Sequence, residues 1–106
     1  MPTSKSEFSE LVALIRDFAD HRDWHRYHTP KNLSMAVAGE AGELVAEFQW
    51  LTPEESNVAA LSPEKLRAIA LEIADVQIYL LRLADVLGID VPQVVREKLA
   101  INESRF

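Results

Sequence analysis

The sequence contains no cysteine, which excludes disulfides, thiolate metal sites and a cysteine nucleophile. No apolar run approaches the roughly 20 residues that span a bilayer, and the first residues lack the apolar stretch of a signal peptide. Basic residues are scarce: 11 of them stand against 17 acidic residues, a formal net charge of −6. Nucleic acid polymers and anionic membranes attract basic surfaces, so neither is expected as a partner. We predict a cytoplasmic protein whose metal ligands can only be oxygen or imidazole groups.

The 106 residues, 48% of them hydrophobic, are expected to form one domain, from 1 to 106. No strand alternation is visible, and apolar residues recur at steps of three and four, which predicts an all-α four-helix bundle. The predicted helices run from Ser4 to Arg22, from Pro30 to Trp50, from Pro63 to Gly88, and from the Asp90 cap to about Glu103. Residues 52–61 are predicted to form a linker with a short helical turn. So short a chain has little room for a cavity, which favours a site at a subunit interface.

The second helix carries three carboxylates on one face, since Glu40, Glu43 and Glu47 follow one another at steps of three and four. By itself this pattern is typical of a solvated face. The third helix changes the interpretation, because Glu72 and Asp75 stand in an otherwise apolar stretch without a basic residue at close helical spacing. Buried carboxylates need a partner, and a divalent cation supplies one. All-oxygen ligation favours Mg²⁺, with Mn²⁺ as a substitute.

A di-iron bundle is the competing interpretation of these carboxylates. Its signature requires a histidine three residues after a glutamate, and those positions hold Ala46 and Asp75. A Mg²⁺ site with few protein ligands is completed by water and phosphate oxygens, which points to phosphate chemistry. Gly39 and Gly42 lie inside the same helix, where each costs about 1 kcal/mol relative to alanine, so a neighbouring backbone or a ligand is expected to approach closely.

Three segments resemble the MazG-like all-α nucleoside triphosphate pyrophosphohydrolases, and within that family the dCTP pyrophosphatases. They are NLSMAVAGEAGELVAEFQW from Asn32, LEIADVQIYLLRLADVLGID from Leu71 and KLAIN from Lys98. The resemblance implies a helical bundle that assembles into homodimers or homotetramers. It implies that a nucleoside triphosphate is hydrolysed to the monophosphate and pyrophosphate, with Mg²⁺ bound by Glu40, Glu43, Glu72 and Asp75.

The same resemblance implies a set of nucleotide contacts. The matching positions are Trp24, Arg26, His28, Trp50, Tyr79, Lys98 and Asn102. The dCTP-specific relatives also carry a substrate-contacting histidine in the first helix, and the equivalent position here is Ile15. This departure leaves the base and sugar preference open. Other substrates that the superfamily allows are dUTP, a damaged nucleotide or phosphoribosyl-ATP.

Without the family resemblance, the sequence allows more than one role for each aromatic and basic residue. Trp24 and Trp50 can stack on a nucleobase or seal the edge of the core, and Tyr79 can reach a nucleotide or bond to a backbone carbonyl. Lys98 can contact phosphate or be a solvated lysine. His28, together with Arg26, supplies positive groups that could meet phosphate oxygens or belong to a surface loop.

Glu47, His21 and His25 are the remaining residues to interpret. Glu47 can act as general base toward the attacking water, hold the water shell of a metal, or be an exposed acid. His21 and His25 are interpreted as surface residues. An alternative from a different functional class is a noncatalytic helical interaction module, in which the carboxylates form an exposed binding face.

Overall fold

The computed structural model describes residues 6–106, which form four α-helices and one short 3-10 helix. The helices are α1 (Glu7–His21), α2 (Pro30–Ala46), α3 (Pro63–Leu87) and α4 (Val91–Arg105), with the 3-10 helix Val58–Ala60 between α2 and α3. No strand occurs within the described residues, so the all-α prediction is confirmed. The short turn predicted within 52–61 is also present.

Each α-helix begins at a polar residue that caps its first turn. Ser6, Thr29, Ser62 and Asp90 each accept a hydrogen bond from the backbone N–H three residues later. The predicted start of the first helix at Ser4 lies outside the described residues. At the other end of α3, Gly88 adopts the left-handed conformation with φ 70°, as expected for a C-terminal glycine stop.

Helix α2 is shorter than predicted: it ends at Ala46, and residues 47–50 form turns. A new capped turn follows, in which Thr52 Oγ1 accepts from Glu55 N at 3.1 Å while Glu55 Oε1 accepts from Thr52 N at 2.8 Å. Thr52 also precedes Pro53, which disfavours a helical conformation before it. These local preferences end the helix before Trp50.

Helix α3 is the centre of the fold and packs against α1 and α2. The buried core is small and consists of Ala19, Leu33, Ile69, Leu81 and Ala84. The sequence from Ala68 to Leu87 is apolar on almost every side, which predicts a buried helix, but within the single chain much of this segment is exposed. Its exposed members are Leu71, Ile73, Ile78, Leu80, Val86 and Leu87.

Helix α4 stands away from the other helices. None of its residues is buried, and within residues 6–106 it has no extended packing contact with α1, α2 or α3. The radius of gyration is 16.6 Å, whereas a compact chain of this length has about 13 Å. The accessible surface is 8081 Å², whereas a compact monomer of this mass exposes about 6,000 Å². The single chain therefore exposes far more surface than a compact monomer.

None of the described helices is long and apolar enough to cross a bilayer. The cytoplasmic location stays a prediction.

Candidate active site

Three carboxylates converge where α2 packs against α3. One carboxylate oxygen each from Glu40, Glu72 and Asp75 lies within 4.8 Å of the others. Glu72 and Asp75 meet because residues three apart share a helix face. Mg²⁺ holds oxygens at about 2.1 Å, so oxygens on opposite sides of one ion lie about 4.2 Å apart. The three carboxylates are therefore close to the spacing that a single ion would impose.

Glu72 is the carboxylate whose environment is least favourable. Its Oε2 atom is buried and has no hydrogen-bond partner within residues 6–106. Burial raises the pKa of Glu72, and the negative charges of Asp75, Glu43, Glu40 and Glu47 raise it further. A buried oxygen without a donor, surrounded by like charges, is costly unless a cation is present. This donor set fits a divalent metal ion.

Basic side chains of residues 6–106 do not neutralise the carboxylates of this site. Within residues 6–106, none of the four predicted metal ligands forms an ion pair with a basic residue. Lys65 instead binds Glu47, with Nζ 2.9 Å from Oε1. Glu47 is thus a partnered acid beside the cluster rather than a freely solvated one. Glu43 lies outside the group of three converging oxygens, although it is near enough to raise the pKa of Glu72.

The expected close approach at Gly39 and Gly42 is not made by this chain. A Cβ atom placed on either glycine would meet no heavy atom within 4 Å. The described residues thus supply no such neighbour, and the approach of a ligand to this side of α2 stays a prediction. Within the described chain, Gly39 and Gly42 instead face open space.

The segment from Arg22 to Thr29 forms a compact loop, called here the aromatic loop. Trp24 N donates to Ala19 O at 3.0 Å, and His28 N donates to Trp24 O at 3.1 Å. The indole of Trp24 packs edge-on against Phe18, with ring centroids 5.5 Å apart, and lies 5.9 Å from the His28 ring. Trp24 is still 39% exposed, so it both covers the core edge and keeps surface for a ligand.

His28 is oriented by a residue of α3 that sequence reasoning missed. Arg82 Nε donates to His28 Nδ1 at 3.2 Å, and Arg82 is buried within the apolar face of α3. Burial lowers the pKa of His28 and the charge of Arg82 lowers it further, so the uncharged form of the ring predominates at neutral pH. This differs from the positive group that the sequence interpretation offered for His28. The signal in the sequence that could have identified Arg82 is its place within a run of apolar residues on α3.

The other predicted residues of the aromatic loop interact within it. Arg26 Nε lies 3.5 Å from Asp23 Oδ2, and its guanidinium stacks 4.9 Å from the Tyr27 ring centre. His25 Nδ1 lies 3.3 Å from Asp23 Oδ1. His21 lies before the loop, at the end of α1, where its Nδ1 is 2.7 Å from Asp17 O. Both of these histidines are exposed, as predicted.

The remaining predicted contact residues are spread over the chain. Trp50 is 87% exposed, so it does not seal the core of this chain. Tyr79 is half-buried on α3, four residues after Asp75 and hence on a similar face. Lys98 and Asn102 lie on α4, and because α4 does not pack along α2 or α3, the single chain does not bring them to the carboxylates.

Comparison with known proteins adds three relatives. Residues 36–105 match the MazG-like family. Human dCTP pyrophosphatase 1 is 42% identical over 97 residues, which cover 92% of this chain and 57% of that protein. A dATP/dGTP diphosphohydrolase of Cyanophage S-2L is 57% identical over 79 residues, covering 65% of this chain and 75% of that protein. A crystal structure of a pyrophosphatase from Archaeoglobus fulgidus DSM 4304 is 36% identical with a TM-score of 0.89, covering 100% of this chain and 97% of that one. This chain thus spans only a little over half the length of the human relative.

Proposed function

This chain belongs to the MazG-like family, as its sequence predicted, and from that premise we propose that it is a metal-dependent nucleoside triphosphate pyrophosphohydrolase. The proposed substrate is dCTP or a related pyrimidine nucleotide, and the products are the monophosphate and pyrophosphate. One observation carries the proposal: three carboxylates converge around a buried Glu72 oxygen without a hydrogen-bond partner among residues 6–106. The dCTP pyrophosphatase relative supports the choice of substrate.

In this proposal Glu40, Glu72 and Asp75 would hold Mg²⁺, with Mn²⁺ as a substitute, and Glu43 is the fourth proposed ligand. When bound, Mg²⁺ supplies neutralisation of the triphosphate charge and activation of water for attack at the α-phosphorus. Glu47 binds Lys65 through Oε1. Its second oxygen is proposed to accept a hydrogen bond from the attacking water and so orient it.

The nucleoside end is proposed to lie against the aromatic residues. Trp24 and Trp50 stack on the base, and both have exposed surface for this purpose. His28 donates a hydrogen bond through Nε2, since its Nδ1 accepts from Arg82. The remaining proposed contacts to the sugar and phosphates are Arg26, Tyr79, Lys98 and Asn102.

The proposed assembly is a homodimer or homotetramer whose interface includes α4. The accessible surface of 8081 Å² exceeds that of a compact monomer by about 2,000 Å², within the range that stable interfaces bury. Helix α4 exposes Val94, Val95, Leu99 and Ile101, and it also carries Lys98 and Asn102. A second copy packed on α4 would cover the apolar residues and bring the polar pair to a neighbouring carboxylate cluster. Sedimentation velocity tests this, and a monomer at micromolar concentration would overturn it.

The decisive experiment is a panel of nucleotides incubated with Mg²⁺, with monophosphate and pyrophosphate as the readout. We expect turnover of dCTP that stops when Mg²⁺ is chelated. Glu72→Gln should reduce turnover at least about 100-fold, since even residues that only orient metal ligands contribute about 10–100-fold. Glu64→Gln, an exposed glutamate at the start of the same helix, is the matched control. Hydrolysis of no nucleotide would overturn the proposed function.

The same panel separates the alternative substrates. The cyanophage relative gives a specific reason to include dATP and dGTP as a second candidate pair. The panel also includes dUTP, an oxidised nucleotide and phosphoribosyl-ATP, because Ile15 departs from the dCTP-specific pattern. A noncatalytic interaction module would show neither hydrolysis nor stabilisation by Mg²⁺.

A further inference from the structure

A buried charge on α3 lies outside the carboxylate cluster. Arg82 is 7% exposed and is the one charged residue among 6–106 that is buried. A buried guanidinium is tolerated only if its donors are paired. Its Nη1 lies 3.3 Å from Asp85 Oδ2, and its Nε donates to His28 Nδ1 at 3.2 Å. Arg82 thus connects a carboxylate of its own helix to a ring of the aromatic loop.

The carboxylate partner is itself fixed by a second arginine. Arg16 of α1 donates through Nε to Asp85 Oδ2 at 2.8 Å and through Nη2 to Asp85 Oδ1 at 2.7 Å. Such a two-point contact constrains the carboxylate in position and in plane. The pKa of Asp85 is lowered chiefly by the hydrogen bond from Arg16. Arg82 therefore has a rigid anionic anchor on one side.

On its other side, Arg82 determines which nitrogen of His28 carries the proton. An arginine can only donate, so Nδ1 of His28 must accept and the proton of the neutral ring resides on Nε2. Arg82 also stands seven residues after Asp75, so the two lie on a similar face about 10 Å apart along α3. The helix that carries metal ligands thus also holds the ring that faces Trp24.

We propose that Arg82 is a positioning residue for nucleotide recognition, which fixes the His28 ring as the Nε2–H tautomer and thereby sets the place of Trp24. This inference rests on the proposed function, since it needs the aromatic loop to contact the nucleoside. The neutral ring acts as a donor to an acceptor atom of the nucleotide. Arg82 itself lies behind the ring and acts through it.

The test combines a spectroscopic readout with steady-state kinetics on the full chain. Long-range ¹H–¹⁵N spectra report which ring nitrogen of His28 is protonated. In the wild type at neutral pH, we expect that Nε2 carries the proton and that Nδ1 is unprotonated. In Arg82→Lys, which keeps the charge but loses the fork of donors, we expect mixed tautomers. Arg67→Lys, an exposed arginine on the same helix, should leave the ring signals unchanged.

The kinetic readout separates positioning from catalysis. With dCTP and Mg²⁺, Arg82→Lys should raise KM roughly tenfold, the factor that corresponds to about 1.4 kcal/mol, and leave kcat nearly unchanged. In a His28→Ala background, replacing Arg82 should add no further increase in KM, because Arg82 acts through that ring. An additive increase, or unchanged ring signals in Arg82→Lys, would overturn the proposal.

Two further points keep the outcome clear. Arg82→Met is made in parallel, and circular dichroism shows whether it folds. If it does not fold, Asp85→Asn is measured in its place, because it weakens the contact that holds Arg82. A wild-type chain that hydrolyses no nucleotide would overturn the proposed function and the nucleotide role of the loop together. The ring signals would then still decide whether Arg82 positions His28.

Discussion

Two polar clusters lie along the same helix and differ in how their charges are compensated. At the middle of α3, Glu72 is surrounded by other carboxylates, and its Oε2 has no hydrogen-bond partner within residues 6–106. Nearly three turns further on, Arg82 donates to Asp85 and to His28, while Asp85 also receives two hydrogen bonds from Arg16. The second cluster is complete without a ligand, and the first is not.

The difference indicates what each cluster is for. Charges that remain unpaired after folding raise the free energy of the folded chain. Binding of a counter-ion lowers that free energy again. Charges that are fully paired fix the geometry of their neighbours and depend little on what binds later. The first cluster, around Glu72, is thus suited to binding a cation. The second cluster, the arginine cluster around Arg82 and Asp85, is suited to fixing the conformation of the surface around it.

The largest effect is expected when one carboxylate of the first cluster is neutralised. Glu40→Gln should lower turnover by more than about 100-fold, since it removes a proposed metal ligand. The variant should stay folded, because glutamine keeps the shape of the side chain and one repulsive charge disappears. Pyrophosphate release and the thermal unfolding curve measure the two effects. A folded variant with wild-type turnover would contradict the assignment of Glu40 as a ligand.

Removing an acid from the second cluster should have the opposite consequence for stability. Asp85→Ala leaves the buried Arg82 without its anion and should reduce the free energy of unfolding by about 3 kcal/mol. Urea unfolding at a fixed protein concentration measures this. Glu54→Ala, an exposed acid of the loop before α3, should stay within about 0.5 kcal/mol of wild type. Equal losses for the two variants would show that the arginine cluster contributes no special stability.

Adding Mg²⁺ should stabilise the chain through the first cluster and not through the second. Mg²⁺ at 100 times its dissociation constant should stabilise the wild type by about 2.7 kcal/mol, the amount that a single site gives by mass action. Glu72→Gln should lose most of this stabilisation, whereas Asp85→Ala should keep it. Thermal unfolding with and without Mg²⁺ makes the comparison. The metal assignment fails if Glu72→Gln responds to Mg²⁺ as the wild type does.

The smallest expected effect comes from the pH dependence of the second cluster. Burial and Arg82 hold the pKa of His28 below its ordinary value of 6.5, so the folded chain takes up this proton less readily than the unfolded chain. Its contribution to stability is complete above pH 6.5 and decreases as the pH falls from there through the lowered pKa. We expect His28→Gln to lack this part of the decrease when unfolding is measured at about pH 7.5 and about pH 5. Identical pH profiles would exclude the histidine as the source.

Local signals in the sequence predicted the helices well, because each start depends on a capping side chain a few residues away. The predicted starts of α2, α3 and α4 are confirmed, and Gly88 ends α3 as expected. The end of α2 was predicted four residues too late. The apolar run beyond Ala46 continued, and only the competition from the turn capped by Thr52 stops the helix.

The site was predictable as far as helix periodicity reaches. The spacing of Glu72 and Asp75 identified one face of α3, and the acids of α2 supplied a second, facing set. The link from Arg82 to His28 joins residues 54 positions apart, so no local pattern reveals it. The exposure of the apolar residues of α3 was equally out of reach, since periodicity shows that a residue avoids water and not which chain covers it.

A rotation of α4 about the left-handed turn at Gly88 would displace residues near the end of α4 more than residues at its start. Asn102 lies twelve residues beyond Asp90, which is about 18 Å along a helix. A rotation of about 10° at the turn would therefore move Asn102 by about 3 Å, roughly the length of a hydrogen bond. Under the proposed function, a substitution in this turn, which lies outside the carboxylate cluster, would therefore shift the proposed contact Asn102 and leave the proposed metal ligands in place.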